Sequence, residues 1–593
     1  MMTHSDILQR RLALLSMVLV GISAILLARL LSFQFRMNPE VRRALADQAE
    51  NRYEQTVEVM PNRGLIYDRK GNLLATNSFE YRIGISPNQI TDRQEIAAQL
   101  APLIGKPENE LYAKLSPDEN GEFPVYVMLA ERVNFETGQA VADLEIDGIV
   151  LEPIPIRIYP QGALLAQIVG FYAGADSTKE GRGYYGVEGF YQDLLAGQSK
   201  RVTTSNIPLI EEESRTQTTR VRDGISLVLT IDRDVQYLAQ EVLNEAIETY
   251  QATGGTILIM NPRTGEILAM ANYPNFDPTN FTPDTAEFAR NQAVSDIYEP
   301  GSIFKVVTMA MALDAGTHDL NWTYYDQGCF EAGGVPICNW DRVSHAGGNP
   351  TFAQVFIESL NTGTATIFQQ MGPTLVYPRL RDFGMGSPTG VDLEGESAGI
   401  LVEQTDTNWN EAQFLNNSYG QGISVTPLQM LCAVNAIAND GLIMQPHIVK
   451  ARIDGSQVIE TVPSASHRPI SEEAAHTARD IMVQIVTNPD REDLYEFPTF
   501  TVAGKTGTAE IPTPYGYDPD ASIASFVGFI PADDPVVSIL VKLDRPVGYW
   551  GSKTAAPVFQ QLVDRLVVLM EIPPDSLRFQ LIAQGGAPLD REY

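Results

Sequence analysis

The chain has 593 residues, 44% hydrophobic and 20% charged, enough for two or three domains with ordinary cores and unlike a disordered or low-complexity polymer. Its formal net charge of −32 repels phosphate backbones, which excludes a nucleic-acid binder and argues against broad adhesion to anionic lipid head groups. The six histidines and three cysteines show no metal-ligand spacing.

After a short segment, 1–11, the run Leu12 to Leu31 is almost wholly apolar. About 20 such residues span a bilayer as a helix. A cleaved signal peptide has a shorter apolar region, about 7–15 residues, ending in small residues. Here Leu30-Leu31-Ser32-Phe33 follows instead, so the segment reads as an uncleaved signal anchor. Arg10 and Arg11 precede it, and Arg29, Arg36, Arg42 and Arg43 accompany or follow it, so the positive-inside count leaves its orientation open.

Residues 37–220 read as a mixed, irregular domain. Within it, Arg63 to Ala75 has the pattern strand, turn, strand, with the turn at Asp68 to Gly71. Ser199 to Arg220 is polar and threonine-rich and reads as a connection. A second domain, 223–570, opens on the strand Leu227 to Ile231, and Asp232 is placed to cap a helix from Arg233 to Tyr250. Thr256–Met260 and Glu266–Ala271 follow as two strands around a turn. Phe500–Ile511, Ser522–Ile530 and Val536–Leu543 are three more, before a closing helix over Ala556–Met570. Strands at both ends of a long helical middle predict one α/β (α+β) domain, with a mostly antiparallel sheet and a helical insertion. Residues 571–593 read as a loose tail.

Gly333-Gly334 is equidistant from Cys329 and Cys338. A two-residue turn there sets the cysteines directly opposite each other, close enough for a disulfide. Two reduced, half-buried cysteines are the alternative. Cys432, in the helical stretch Pro427–Asn439, reads as plain core.

Pro300-Gly301 breaks the chain before Ser302, and Ile303 to Leu313 is apolar on nearly every face. This predicts a deeply buried helix with Ser302 at its N-terminus and Lys305 one turn along. A serine hydroxyl needs a base beside it, and a lysine serves when burial holds it neutral. Ser359-Leu360-Asn361 offers a second hydroxyl to relay a proton and an amide to hold a substrate. Lys505-Thr506-Gly507-Thr508, on a strand, offers a cation and hydroxyls for a carboxylate, with a glycine that lets an extended peptide come close. Each piece alone is commonplace; the three in this order are not.

S-x-x-K, S-x-N and K-T-G in succession resemble the signature of penicillin-binding proteins and serine β-lactamases. The resemblance to class B penicillin-binding proteins is wider, covering roughly residues 60–565. It includes the Arg63–Ala75 segment, Arg157-Ile158-Tyr159-Pro160, Gly186-Val187-Glu188-Gly189, Asn272-Tyr273-Pro274, Gly420-Gln421-Gly422 and Ala555-Ala556-Pro557. Leu360 and the pair Phe190-Tyr191 depart from the family's usual residues. The resemblance implies a transpeptidase domain with a five-stranded, mostly antiparallel sheet flanked by helices, an all-helical subdomain, and an N-terminal pedestal or dimerisation domain behind a single membrane anchor.

The activity implied is D,D-transpeptidation of peptidoglycan. Ser302 would attack a D-Ala-D-Ala stem peptide, with Lys305 as general base. Ser359 would pass the proton and Asn361 orient the donor. Lys505, Thr506, Gly507 and Thr508 would bind the terminal carboxylate. β-Lactams would trap Ser302, and no metal or organic cofactor is implied. The implied setting is the cell membrane, with the catalytic part extracytoplasmic and a SEDS-type glycan polymerase as partner. Two rivals share these motifs. One is a hydrolase, either a D,D-carboxypeptidase or a β-lactamase. The other is a non-catalytic scaffold for a polymerase.

Overall fold

The computed structural model describes residues 4–36, 54–59, 61–174, 181–198, 200–205, 221–488, 497–514 and 516–584. They fall into two compact units. The first comprises Met1–Pro61 and Gln198–Arg222. It contains a long helix, α1 (His4–Arg36). Within it Leu12–Leu31 has a mean hydropathy of 2.4 and is long and apolar enough to cross a membrane. Its leucines and valines are exposed along their length, as suits a helix solvated by lipid. The same unit holds an antiparallel ladder of Glu54–Val59 with Lys200–Ser205, with Val57 opposite Val202. The expected connection at 199–220 therefore opens with a strand, which β-branched Val202, Thr203 and Thr204 favour. Residues 206–220 of that stretch lie outside the described residues.

The second unit joins Asn62–Gly197 to Asp223–Tyr593. The sequence places a boundary between a pedestal at 37–220 and a second domain from 223, and one sheet spans it. Ile66–Tyr67 pairs in parallel with Ser226–Leu229, which pairs with Val449–Asp454. On its other side Ile66–Tyr67 pairs with Leu73–Ile85, the centre of the pedestal's ladders. The Asp68 carboxylate caps the predicted turn, accepting from the Lys70 and Asn72 amides. Three pedestal motifs distant in sequence converge on one fully buried carboxylate. Glu188 accepts from Arg63 Nε at 2.7 Å and from Arg157 Nε at 2.8 Å. Such a triad is expensive to break, because a lone buried charge would remain. At the departure Phe190-Tyr191, the Tyr191 hydroxyl donates to Asp392 at 2.8 Å, tying the pedestal to the catalytic part.

The C-terminal part is built on a five-stranded antiparallel sheet. In chain order its strands are β1 (Gly254–Met260), β2 (Ile267–Tyr273), β3 (Ala503–Thr513), β4 (Gly516–Ile530) and β5 (Val537–Asp544). Their spatial order is β2-β1-β5-β4-β3, which leaves β3 at an edge. The predicted cap holds: Asp232 accepts from the Asp234 and Val235 amides at the head of α2 (Arg233–Tyr250). Ile257 and Ile259 of β1 face a core shared with α2 and the closing helix Ala555–Leu569. Leu258 and Met260 face the opposite core, shared with the buried helices Lys305–Asp314 and Pro427–Ala438. Alternation along a strand produces two cores, and each fully buried Ile or Leu contributes about 1.5–3 kcal/mol. Cys432 sits fully inside the second helix pair.

The tail is not loose at its start. Asp575–Ala583 is a helix. Its Arg578 is 3% exposed, bonded to Asp533 at 2.6 Å and Asp575 at 2.7 Å. Asp575 in turn accepts from the Thr501 amide at 2.6 Å. Paired charges, rather than an apolar stripe, dock this helix, which is why no hydrophobic period announced it.

Candidate active site

The site lies where the edge of β3 meets the segment Gly301–Phe304. Gly301 adopts a positive φ of 59°, and a Cβ there would lie 2.9 Å from the Thr508 carbonyl. Only glycine allows this turn to approach the strand so closely. Gly301–Phe304 is a 3-10 turn that runs into α3 (Lys305–Asp314). Ser302 thus stands at the N-terminal end of the buried helix, in a tighter 3-10 turn that leads into it. Residues three apart eclipse in a 3-10 turn, so Lys305 still follows Ser302 on the same side.

Lys305 is 0% exposed. Its Nζ donates to the Ser359 carbonyl at 2.7 Å, to Ser359 Oγ at 3.1 Å and to Asn361 Oδ1 at 2.6 Å. Among the described residues no carboxylate pairs with it, and burial lowers its pKa from 10.5 to about 7. The carbonyl and the amide oxygen can only accept. When the amine is neutral, its lone pair therefore accepts from the third neighbour, the Ser359 hydroxyl.

Ser359 holds this position in a left-handed conformation, φ 59°, which is costly for a side-chain-bearing residue and is found where the surroundings enforce it. Leu360 behind it is 0% exposed in the core, which accounts for an apolar residue in the middle of this motif. Asn361 opens α4 (Asn361–Met371), and its Nδ2 donates to the Cys338 carbonyl at 2.9 Å. Cys338 and Cys329 stand opposite each other across the Gly333-Gly334 turn and are disulfide-bonded.

β3 forms the other wall. Lys505 is 1% exposed, with Nζ 3.1 Å from the Thr506 carbonyl. Gly507 lies on the Ser302 turn: a Cβ there would meet Ser525 Oγ at 2.5 Å and Ile303 Cγ2 at 2.9 Å. The Thr508 hydroxyl accepts from the Gly551 amide at 2.9 Å. As an edge strand, β3 leaves a row of backbone groups open to an incoming extended chain.

The structure thus brings Lys305, Ser359 and Asn361 into direct contact and sets the Lys505–Thr508 strand against the Ser302 turn. No hydrogen bond joins Ser302 to Lys305 among the described residues. The Tyr419 ring centroid, 6.0 Å from Lys305 Nζ, was not singled out from sequence, although the adjacent Gly420-Gln421-Gly422 was. Gly420 packs on the Ser302 turn, where a Cβ would lie 2.3 Å from the Gly301 carbonyl. Glu299 was missed as well. It accepts from the Gly422 amide and the Tyr517 hydroxyl, both at 3.0 Å, and burial raises its pKa.

Residues 255–564 match the penicillin binding protein transpeptidase domain, and residues 58–229 match the penicillin-binding protein dimerisation domain. The chain belongs to the penicillin-binding protein transpeptidase family. It is 32% identical to stage V sporulation protein D of Bacillus subtilis, over 92% of this chain and 84% of that protein. It is 28% identical to a probable peptidoglycan D,D-transpeptidase, PenA, of Neisseria meningitidis, over 94% of this chain and 93% of that one. Among solved structures, penicillin binding protein 3 of Mycobacterium tuberculosis in complex with aztreonam is 27% identical. It superposes with a TM-score of 0.66, covering 90% of this chain and 99% of that one. Penicillin binding protein 2X of Streptococcus thermophilus reaches a TM-score of 0.73 at 24% identity and shows the same fold.

Proposed function

We propose that this family member is a serine-type peptidoglycan D,D-transpeptidase in which Ser302 is the nucleophile. The observation that carries the reading is the setting of Lys305, buried without a carboxylate and ringed by three oxygens, of which only the Ser359 hydroxyl can donate back. A D-Ala-D-Ala donor lies along the free edge of β3 as an added strand, its carboxylate held by Lys505, Thr506 and Thr508, with Gly507 letting it lie close. As Ser302 Oγ attacks the penultimate D-alanine carbonyl, the Lys305 lone pair turns from the Ser359 hydroxyl to take the Ser302 proton. The Ser302 and Thr508 amides stabilise the oxyanion. Ser359 returns a proton to the departing D-alanine nitrogen, while Asn361 holds the donor and Lys305 in register. An amine on a neighbouring stem peptide then attacks the acyl-enzyme, restores Ser302 and leaves the cross-link. β-Lactams enter as donors and stay.

The α1 helix anchors the chain, with 1–11 cytoplasmic and the catalytic part outside, where its substrate is. The partner that supplies glycan strands is a polytopic polymerase of the SEDS type, an assignment supported by family resemblance alone.

The test uses full-length protein in detergent with a fluorescent penicillin, followed by peptide mass spectrometry. A long-lived adduct on Ser302, absent from Ser302→Ala, is expected. With a pentapeptide donor and an amine acceptor, D-alanine release should yield cross-linked product. Rapid turnover of penicillin would point to a hydrolase, and no adduct on folded protein to a scaffold.

A further inference from the structure

One buried carboxylate beside the second motif has no part in the mechanism above. Asp326 is 1% exposed. Its Oδ1 accepts from the Gly328 amide at 3.0 Å, from Asn339 Nδ2 at 3.2 Å and from the Thr362 hydroxyl at 3.0 Å. Its Oδ2 accepts from the same Asn339 group at 3.2 Å and from the His345 backbone amide at 2.8 Å. Among the described residues no Lys, Arg or His side chain pairs with it. Hydrogen bonds from neutral groups alone hold this carboxylate inside the protein.

Its partners lie next to Asn361 in the chain and in space. Asn361 and Thr362 open α4, and Leu360 at the N-cap offers the first amides no side-chain acceptor. The acceptor comes from another segment: Asn339 Oδ1 takes the Thr362 amide at 3.2 Å. A carboxamide has one donating and one accepting end. With Nδ2 held on Asp326, the oxygen of Asn339 must face the helix. A negative charge beside a helix N-terminus strengthens the same hold. The Thr362 hydroxyl has a single proton and also lies 2.9 Å from Asn339 Oδ1. That oxygen already has the amide, and the charged acceptor is the stronger, so the proton goes to Asp326.

The peptide between Cys338 and Asn339 belongs to the same assembly. Its N–H donates to the Gly328 carbonyl at 2.9 Å, and its carbonyl accepts from Asn361 Nδ2 at 2.9 Å. The backbone that carries Asn361 and the carbonyl that orients its amide are thus both tied to one carboxylate, the first through Thr362 and the second through Gly328 and Asn339.

We propose that Asp326 is a positioning residue for acylation: through Thr362 and Asn339 it sets the start of α4 and keeps Asn361 Oδ1 on Lys305 Nζ, 2.6 Å away. The proposal rests on the roles assigned above to Lys305 and Asn361. Without the carboxylate the start of α4 shifts and Asn361 leaves Lys305. The lysine then loses one of the three oxygens that favour its charged form. Acylation slows, and its rise with pH moves to lower pH. Besides Ser359 and Asn361, Lys305 faces the Tyr419 ring. Tyr324, whose hydroxyl meets that of Thr362 at 2.8 Å, keeps its proton because burial raises its pKa.

Full-length protein in detergent is measured with a fluorescent penicillin as a function of pH. Two variants break the assembly at different points. Asp326→Asn sets an N–H against donors. Thr362→Val keeps the carboxylate and its charge but removes the hydroxyl that ties it to the helix. Each should lower saturated acylation on the plateau of the pH profile by about tenfold, with half-saturation within twofold of the wild type. Each should also move the midpoint of the profile down by about one pH unit. Thr362→Ser should restore both. In Asn361→Ala, slower from the start, neither variant should change the rate more than twofold or move the midpoint, because the group through which Asp326 acts is gone. A loss of rate with an unmoved midpoint, or equal losses with and without Asn361, would make Asp326 part of the scaffold only and overturn the proposal. A midpoint that moves in Asp326→Asn but not in Thr362→Val would reveal a bare charge effect and overturn it too. Near-UV circular dichroism follows the fold; if Asp326→Asn loses the native signal, Thr362→Val and Thr362→Ser, with and without Asn361, decide by the same criteria. Wild type that takes no penicillin at Ser302 would instead refute the proposed function, and the proposal with it.

Discussion

The two walls of the cleft are built on opposite principles. The wall of Ser302, Lys305, Ser359 and Asn361 is closed on itself: the Lys305 amine already has three partners, and the strained Ser359 is held from behind by buried Leu360. The wall of β3 is open, an edge strand with a glycine where a side chain would collide with Ile303. A preorganised polar group stabilises charge as it develops, whereas an open edge binds what arrives. Substitutions on the first wall should therefore lower the rate of acylation at saturation. Those on the second should weaken binding first.

The largest effect is expected at Lys305. Lys305→Ala removes the proposed base and leaves Ser359 and Asn361 facing a cavity; acylation at saturating penicillin should fall by about 10³-fold or more, within the range for a general base and its network. The same lysine sets the pH profile in the wild type. Because burial lowers its pKa to about 7, the neutral amine, and with it the acylation rate, should grow as pH rises through 7 and level off above 8. The stability effect runs in the same direction. Between pH 7 and 10.5 the unfolded chain holds a proton that the folded lysine has lost, so the wild type should gain stability on Lys305→Met as pH rises across that window. A rate flat from pH 6 to 8, measured by stopped-flow acylation, would remove Lys305 as the base.

Thr508→Val tests the open wall. It keeps the shape, removes a hydroxyl bonded to the Gly551 amide and should raise the penicillin concentration needed for half-saturation by about 10-fold, the loss of one hydrogen bond to a charged group. Saturated acylation should change little. An equal fall in the saturated rate would show that the strand, too, acts in the transition state, and the contrast between the walls would weaken.

The closed wall was legible in sequence because its chemistry sits on side chains at fixed short spacings: Ser302 to Lys305, Ser359 to Asn361. The five strands were legible because both faces of the sheet are buried, so they read as short, nearly continuous apolar runs bounded by turn residues. What escaped was carried by atoms that residue type does not encode. The Cys338 carbonyl orients Asn361, but any residue has a carbonyl. Tyr419 reaches Lys305 only because Gly420 packs on Gly301. The helix Asp575–Ala583 docks through Arg578 and Asp533, a pairing that exists only once the chain has folded. The pedestal's union with the catalytic part also depends on a distant parallel pairing, Ile66 with Leu227.

That union supplies the smallest predicted effect and the sharpest check on the contrast. Tyr191 links the pedestal to Asp392, which also accepts from the Ile448 and Val449 amides. Tyr191→Phe leaves those two bonds in place, so Asp392 stays satisfied and the cost should be only about 1 kcal/mol, or roughly 1–2 °C in the melting temperature of so large a unit. Neither wall of the cleft includes this seam, so acylation at saturation and half-saturation should both stay within twofold of the wild type. If acylation instead falls several-fold while the melt is unchanged, the pedestal biases the geometry of the Ser302 wall. The closed wall would then be preorganised by the rest of the chain and not by its own hydrogen bonds alone.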